Sequence, residues 1–335
     1  MKEKILVTGA AGFIGFHLTM RLLKDGYWVV GIDNLNDYYD PVLKEDRLSR
    51  LQEFPEFQFY RYDLADKVHL LKIFEQHQFD LVIHLAAQAG VRYSITNPDV
   101  YISTNIVGFH NIQEAIRANP VKHFIYASSS SVYGGNEKLP FSTDDHVDYP
   151  VSLYAATKKS NELMAHTYSH LYGIPSTGLR FFTVYGPWGR PDMALFKFAE
   201  KIVKDETIDI YNNGDMRRDF TYVDDVVESM VRLMPKVPSK GLEESAAQSK
   251  IAPYRIFNIG SHNPVTLMEY VDALERHLGK KARKSFVPMQ PGDVKDTFAD
   301  VSDLVREIDF SPRTSIDEGV GSFVKWYQDY RSKRV

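Results

Sequence analysis

The segment Ile5-Leu6-Val7-Thr8-Gly9-Ala10-Ala11-Gly12-Phe13-Ile14-Gly15 leaves this chain few folds to choose from. Ile5–Thr8 reads as a strand with no polar face, and such a strand must sit inside a sheet that is covered on both sides. A turn with glycine at its first, fourth and seventh positions follows, and helical periodicity then runs over Gly12–Lys24. Glycines there let the backbone turn sharply and approach a bound group with no side chain between. The N–H groups left free at the helix start then face an anion.

The alternation continues. Trp28–Asp33, Phe57–Tyr62, Asp80–Ala86 and Lys122–Ser128 read as strands, and a polar stretch, Leu43–Phe54, and Val100–Ala118 read as helices. Apolar strands separated by helices predict an α/β fold, a doubly wound parallel sheet of the Rossmann type. Beyond about Arg180 the pattern loosens. Tyr185-Gly186-Pro187-Trp188-Gly189-Arg190-Pro191 marks a turn-rich exit from the sheet. Helices are predicted over Ala194–Lys204, Val223–Met234, Leu267–Leu278 and Ile316–Tyr330. Pro235–Pro253 shows no apolar periodicity and reads as an exposed, mobile loop. The expected division is a nucleotide-binding domain over 1–180, joined by parts of 221–262, and a smaller mixed α/β substrate domain over 181–335.

Composition narrows the partners. Among 335 residues the formal net charge is −4, so no basic excess exists to pair with nucleic acid or an anionic membrane. No apolar run approaches the ~18 residues of a membrane span, and Met1-Lys2-Glu3-Lys4 leads straight into a strand without a signal segment. Cysteine is absent, which removes disulfides, thiolate chemistry and cysteine-ligated zinc and fits a cytoplasmic protein. No metal site is expected.

Asp33 ends the second strand at the spacing of a ribose partner, and Gly9, Gly12 and Gly15 then hold a pyrophosphate. A carboxylate there accepts from a ribose 2′-hydroxyl and repels a 2′-phosphate. Asn34 follows where an arginine would favour NADP, so the expected cofactor is NAD. Asp63 either accepts from the adenine amino group or caps the helix after it. Tyr154 and Lys158, four residues apart, share one helix face. A tyrosine that takes a proton near neutral pH must shed about three pKa units, and a neighbouring ammonium supplies that stabilisation. Ser128-Ser129-Ser130-Ser131 ends a parallel strand, at the edge where such sheets bind ligands; it is either a substrate contact or a polar turn. His84, inside an apolar strand, reads as a core histidine.

Thr8-Gly9-Ala10-Ala11-Gly12-Phe13-Ile14-Gly15, Asp63-Leu64, His84-Leu85-Ala86-Ala87, Tyr154-x-x-x-Lys158 and Arg218-Asp219-Phe220 together resemble the extended short-chain dehydrogenase/reductase superfamily over nearly the full length. Its members mostly act on nucleotide-activated sugars. The resemblance implies Ser129, Tyr154 and Lys158 as the catalytic set, with Tyr154 as base and Lys158 as its ribose-binding partner. It implies cofactor contacts from Phe13, Ile14, Asn34, Leu64, Leu85, Ala86, Ala87 and Asn105, with Phe181 and Val184 flanking the nicotinamide. Arg218 would contact the diphosphate of a UDP-sugar, and Tyr211 and Asp293 belong to the same side.

Within the superfamily the UDP-glucuronate 4-epimerase subgroup is the most similar. The similarity rests on Gly31-Ile32-Asp33-Asn34-Leu35-Asn36-Asp37-Tyr38-Tyr39-Asp40, on Gln88-Ala89-Gly90-Val91-Arg92-Tyr93-Ser94 and on Arg180 through Ala194. Sibling dehydratases and decarboxylases usually carry an acid where Ser130 and Ser131 stand, and UDP-galactose epimerases usually carry Asn in place of Thr183. Gln290 stands before Pro291-Gly292-Asp293 where those epimerases have an arginine, which shifts diphosphate binding toward Arg218. The implied reaction inverts the carbon-4 hydroxyl of UDP-glucuronic acid to give UDP-galacturonic acid, through a transient 4-keto sugar and tightly bound NAD. Thr183 and Ser128–Ser130 are expected to restrain the carboxylate, with Arg92 or Arg190 near the sugar or diphosphate. UDP-glucose or UDP-N-acetylglucosamine epimerisation, decarboxylation, net dehydrogenation and a silent NAD-binding protein remain alternatives. Apolar stripes at Ile102, Ile106, Phe109, Ile112 and Ile116 and at Leu163, Met164 and Leu171 read as core, and the resemblance implies that they also form a homodimer seam.

Overall fold

Burial on both faces selects the strands of one large sheet. The computed structural model describes residues 3–240, 248–289 and 294–333. In chain order its strands are β1 (Lys4–Thr8), β2 (Trp28–Asp33), β3 (Phe57–Arg61), β4 (Leu81–His84), β5 (His123–Ser129) and β6 (Ser176–Phe181). β7 (Thr183–Tyr185), β8 (Thr207–Ile210), β9 (Arg217–Tyr222), β10 (Tyr254–Ile259), β11 (Pro264–Thr266) and β12 (Arg283–Phe286) follow. The large sheet runs β10-β6-β5-β4-β1-β2-β3, and every pairing in it is parallel. β9 lies between β7 and β11 in a three-stranded sheet, and β8 pairs with β12.

The chain winds outward from β1 through β2 and β3, then returns to β4 on the other side of β1. That reversal opens a crevice between the ends of β1 and β4, where Thr8 pairs with His84. One face of the sheet packs on the helices Phe13–Lys24 and Val223–Leu233, and the other on Lys67–Gln76 and Phe109–Ala118. A third core joins β8 and β9 to the helices Ala194–Val203, Leu267–Leu278 and Ile316–Ser332. The second half of the chain therefore supplies both β10 and a helix to the first sheet. Among the described residues no helix is long and apolar enough to cross a membrane.

Leu163 and Leu171, read as core, are 57% and 62% exposed, and only Met164 of that stripe packs against the core. Two expectations about segments also change. The helix expected over Val100–Ala118 is Pro98–Tyr101, a π-helical stretch Ile102–Gly108, and Phe109–Ala118. Its wider turns rotate the apolar stripe: Phe109, Ile112 and Ile116 are in the core, whereas Ile102 is 45% exposed. They also bury Asn105, whose amide bonds both backbone groups of Gln88 and the Thr157 hydroxyl. The second change concerns the loop expected over Pro235–Pro253, of which 241–247 lie outside the described residues. Most of its described residues are exposed, Val237 and Ile251 by 43% and 59%, but its end is tied down: Ala252 is fully buried, Gln248 bridges to Arg255, and Ser249 bonds His166. Pairing toward the β10 edge anchors a segment that carries no apolar periodicity.

Candidate active site

The glycine turn is built as its spacing requires. Gly9 has φ +72, and a Cβ on it would meet the Ala86 nitrogen at 2.8 Å, across the crevice. A Cβ on Gly15 would fall 2.0 Å from the Gly9 carbonyl oxygen, so the helix can pack this closely only with glycine there. Gly12 caps the helix Phe13–Lys24 without a side-chain bond, which leaves its first-turn N–H groups to the cleft. Asp33 accepts from the backbone N–H of Leu35 at 2.9 Å and of Ala11 at 3.2 Å. Burial pushes its carboxyl up, and those N–H bonds and the nearby Lys44 pull it down. Asn34 donates to Asp63 at 2.8 Å, joining the two polar groups on the ribose and adenine side. A dinucleotide's pyrophosphate and ribose fit this cradle: small backbone, free donors and one placed carboxylate.

The cleft above it holds about 610 Å³ and is lined by Gly9, Gly12, Phe13, Ile14, Gly15, Asp33, Asn34, Asp63, Leu64, Leu85, Ala86 and Ala87 on the glycine side. Arg92, Ser128, Ser129, Ser130, Tyr154, Lys158, Phe181, Thr183, Val184, Arg190 and Arg218 line the remainder. Asn105 stands behind the wall as a brace for Gln88, and Tyr211 lies under Arg92, whose guanidinium is 5.2 Å from its ring. Asp293 and the Gln290 position lie outside the described residues.

Tyr154 opens the helix Leu153–Tyr172, whose N-terminus Ser152 caps by accepting from Ala155. Burial holds the Tyr154 phenol above its usual value, while a hydrogen bond with Ser129 and the charge of Arg190 act to lower it. Lys158 is buried, donates to the Ala127 carbonyl at 2.9 Å, and is lowered to about 8 by burial, against the raising effect of Glu162. Tyr154, Lys158 and Glu162 thus follow one another at four-residue intervals along one helix face.

The serine run divides its work. Ser129 ends β5 and accepts from the Ser131 N–H at 3.2 Å and from its hydroxyl at 2.9 Å. It also lies close enough to Tyr154 to act on its phenol. Ser128 is different: its hydroxyl donates to Glu162 at 2.6 Å, so that hydrogen is committed inside the protein. Glu162 in turn takes two bonds from Arg180, and Arg180 reaches the Tyr133 hydroxyl at 3.1 Å.

Across the cleft, Arg190 donates to Asp192 at 3.0 and 2.5 Å, and Tyr38 donates to the same carboxylate at 3.0 Å. Arg218 donates to the Lys295 carbonyl at 2.7 Å, which holds its head at the cleft edge. Sequence reasoning missed Tyr38, Asp192 and Glu162 as site residues. Tyr38 and Asp192 lay in segments already singled out, and Glu162 stands one turn beyond Lys158. The strand Ser176–Phe181, wholly buried yet carrying Arg180, signals that an acid must meet it. His84 is a core histidine, bonded to Thr8 at 2.8 Å.

A parallel sheet with a glycine cradle at its switch point, and a Tyr–Lys pair facing it, defines a dinucleotide-dependent enzyme. The NAD dependent epimerase/dehydratase family matches residues 5–260. The chain is 58% identical to Protein CapI of Staphylococcus aureus, over 98% of this chain and 100% of that one. It is 50% identical to a probable UDP-glucuronate 4-epimerase of Rhizobium meliloti, covering 98% of each. The crystal structure of UDP-glucuronic acid 4-epimerase from Bacillus cereus, in complex with UDP-glucuronic acid and NAD, superposes with a TM-score of 0.87 at 36% identity. That likeness covers 98% of this chain and 99% of that one. This chain belongs to the NAD dependent epimerase/dehydratase family; it is an enzyme, and its cofactor is NAD.

Proposed function

We propose that the protein is a UDP-sugar 4-epimerase that interconverts UDP-glucuronate and UDP-galacturonate. The carrying observation is that Tyr154 and Ser129 share one cleft with Thr183 and Arg190, a proton-transfer pair facing groups suited to a carboxylate. The relatives named for this activity support the same reading.

Bound NAD supplies a hydride acceptor that can return its hydride, and a positive ring charge in its oxidised form. The residues of the glycine cradle and Asp33 hold its pyrophosphate and ribose. Tyr154 takes the proton from the carbon-4 hydroxyl and later returns it, so its phenol must be brought down from its raised value. Ser129 hydrogen-bonds the same oxygen and Lys158 supplies positive charge on the same helix face. The sugar, held by its diphosphate near Arg218, turns over between the two proton transfers. A carboxylate beta to a ketone loses carbon dioxide readily, so the site must keep the breaking bond out of line with the carbonyl π system. Thr183 and Ser130 do this with Arg190. Ser128, whose hydroxyl serves Glu162, contributes by holding the segment. The smaller domain covers the UDP end of the substrate.

We also place a homodimer seam on Ile102, Leu163 and Leu171, apolar side chains exposed on neighbouring helices. Incubation with UDP-glucuronate, UDP-glucose and UDP-N-acetylglucosamine separately, with products resolved by NMR, tests the substrate. UDP-galacturonate should form fastest, without stoichiometric NADH or carbon dioxide. Faster turnover of either neutral sugar would overturn the uronate reading, and accumulating NADH would overturn epimerisation.

A further inference from the structure

Arg47, in the helix Pro41–Leu51, is fully buried and plays no part in the chemistry above. Every acceptor it meets is neutral. One terminal nitrogen donates to the Ala11 carbonyl at 3.0 Å and to the Tyr39 hydroxyl at 2.8 Å. The other donates to the Trp188 carbonyl at 2.6 Å and, at 3.4 Å, to that of Gly189. Its Nε is buried without a partner. Asp33 is near enough to feel its charge but accepts none of its N–H groups, and a buried cation without a hydrogen-bonded acid is costly, so a chain that keeps one needs something an apolar side chain cannot do.

What Arg47 does is join three segments that are far apart in sequence. Ala11 lies in the glycine turn. Tyr39 follows Tyr38, one of the two residues that hold Asp192. Trp188 and Gly189 lead directly into Arg190. Trp188 adopts φ +59, a conformation a bulky side chain keeps only when its surroundings enforce it. Its indole is packed by Phe16 at 5.4 Å and Trp326 at 5.2 Å, and its carbonyl is gripped by Arg47. Those contacts fix the direction in which the next residues leave the turn. Arg190 leaves it toward Asp192 and the cleft.

We infer that Arg47 is a positioning residue for Arg190: it clamps the Trp188–Gly189 turn and Tyr39 to the glycine turn and so sets where Arg190 stands over the sugar. This rests on the reading of Arg190 as a sugar-nucleotide contact. A planar fork can reach both sides at once, whereas a lysine ammonium is a single point with other geometry. Arg47→Lys therefore keeps the charge and loses the clamp.

Titration calorimetry of the NAD-loaded protein with UDP-glucuronate tests this in a double-mutant cycle. Arg47→Lys should weaken binding about tenfold and raise KM, with a smaller fall in kcat, because Arg47 reaches the reacting groups only through Arg190, whose charge bears on Tyr154. Combined with Arg190→Ala it should add nothing to the loss from Arg190→Ala alone. Tyr39→Phe, which removes one acceptor and leaves the backbone grip, should behave the same way on a smaller scale, and it carries the test if Arg47→Lys does not fold. Unchanged affinity in a folded Arg47→Lys protein, or losses that simply add, would overturn the clamp. Unchanged affinity in Arg190→Ala would overturn the reading of Arg190 and the clamp with it.

Discussion

Glu162 and Arg180 face each other as a two-pronged ion pair, with Nε 2.8 Å from one carboxylate oxygen and Nη2 2.9 Å from the other. Both side chains are buried. The carboxylate also takes the Ser128 hydroxyl, and it raises the neighbouring Lys158 against the lowering effect of burial. One acid thereby ties the end of β5, the buried strand β6 and the helix of Tyr154 and Lys158 together, directly behind those two side chains.

Glu162→Gln should act on both stability and pH dependence. Leaving Arg180 buried without its acid should cost about 3–5 kcal/mol, measured by urea unfolding. The pH effect has a definite sign. Lys158 carries its charge below about 8, and Glu162 is the group that holds that value up. Without the carboxylate Lys158 loses its proton at lower pH, so the alkaline limb of the kcat/KM profile should move to lower pH. A limb that stays in place, in a variant that is folded, would detach Glu162 from Lys158.

The sheet and its cradle were legible because their causes are local. An apolar strand, three glycines and Asp33 specify one backbone path, and the helices Leu267–Leu278 and Ile316–Ser332 announce themselves by period; their capping boxes at Thr266 and Ser315 emerge from the structure. The tyrosine and the serines could be placed because they open a helix or follow the end of a strand, and the lysine because it lies one turn beyond the tyrosine. What stayed hidden is tertiary. No period in Val100–Ala118 says that a π-helical stretch will turn Asn105 inward to hold Gln88. Ser128 and Ser129 read alike in sequence, yet one bonds Glu162 and the other Tyr154, because successive residues leave a strand on opposite sides.

Acid should destabilise the fold through two buried histidines. His84 is lowered to about 3 and His123 to about 4 from an ordinary value of 6.5, both by burial. His123 is also held by the Met234 carbonyl and the Thr177 hydroxyl. Between pH 6.5 and about 4 the unfolded chain takes up these protons and the folded chain does not. Stability is therefore full above 6.5 and falls as pH drops, by about 1.4 kcal/mol per pH unit for each histidine. Denaturant unfolding of His123→Gln across this window should show a slope shallower by that amount, even if its stability at pH 8 is also reduced.

The dimer reading places charge-sensitive positions at Leu163 and Leu171, which are 57% and 62% exposed. Neither side chain supports the core, so Leu163→Glu with Leu171→Glu should leave the melting curve of a monomer intact. Light scattering should show half the mass of the parent protein. A parent that already scatters as a monomer would refute the seam.

Under the proposed uronate reading, Thr183 offers the sharpest separation of carboxylate handling from the shared epimerase machinery. It opens β7, in register with Phe220, and its position in the cleft is set by backbone pairing rather than by its own side chain. Thr183→Ala should therefore leave the fold and NAD content unchanged. A hydrogen bond to a charged group contributes about 1.5–3 kcal/mol, so its loss should slow UDP-glucuronate turnover roughly tenfold or more. The loss should also free the carboxylate to rotate into line with the carbonyl, so carbon dioxide and a UDP-pentose should appear beside UDP-galacturonate. Thr183→Ser, which keeps the hydroxyl, should restore both rate and purity. If Thr183→Ala changes neither, the assignment of Thr183 to the carboxylate is wrong.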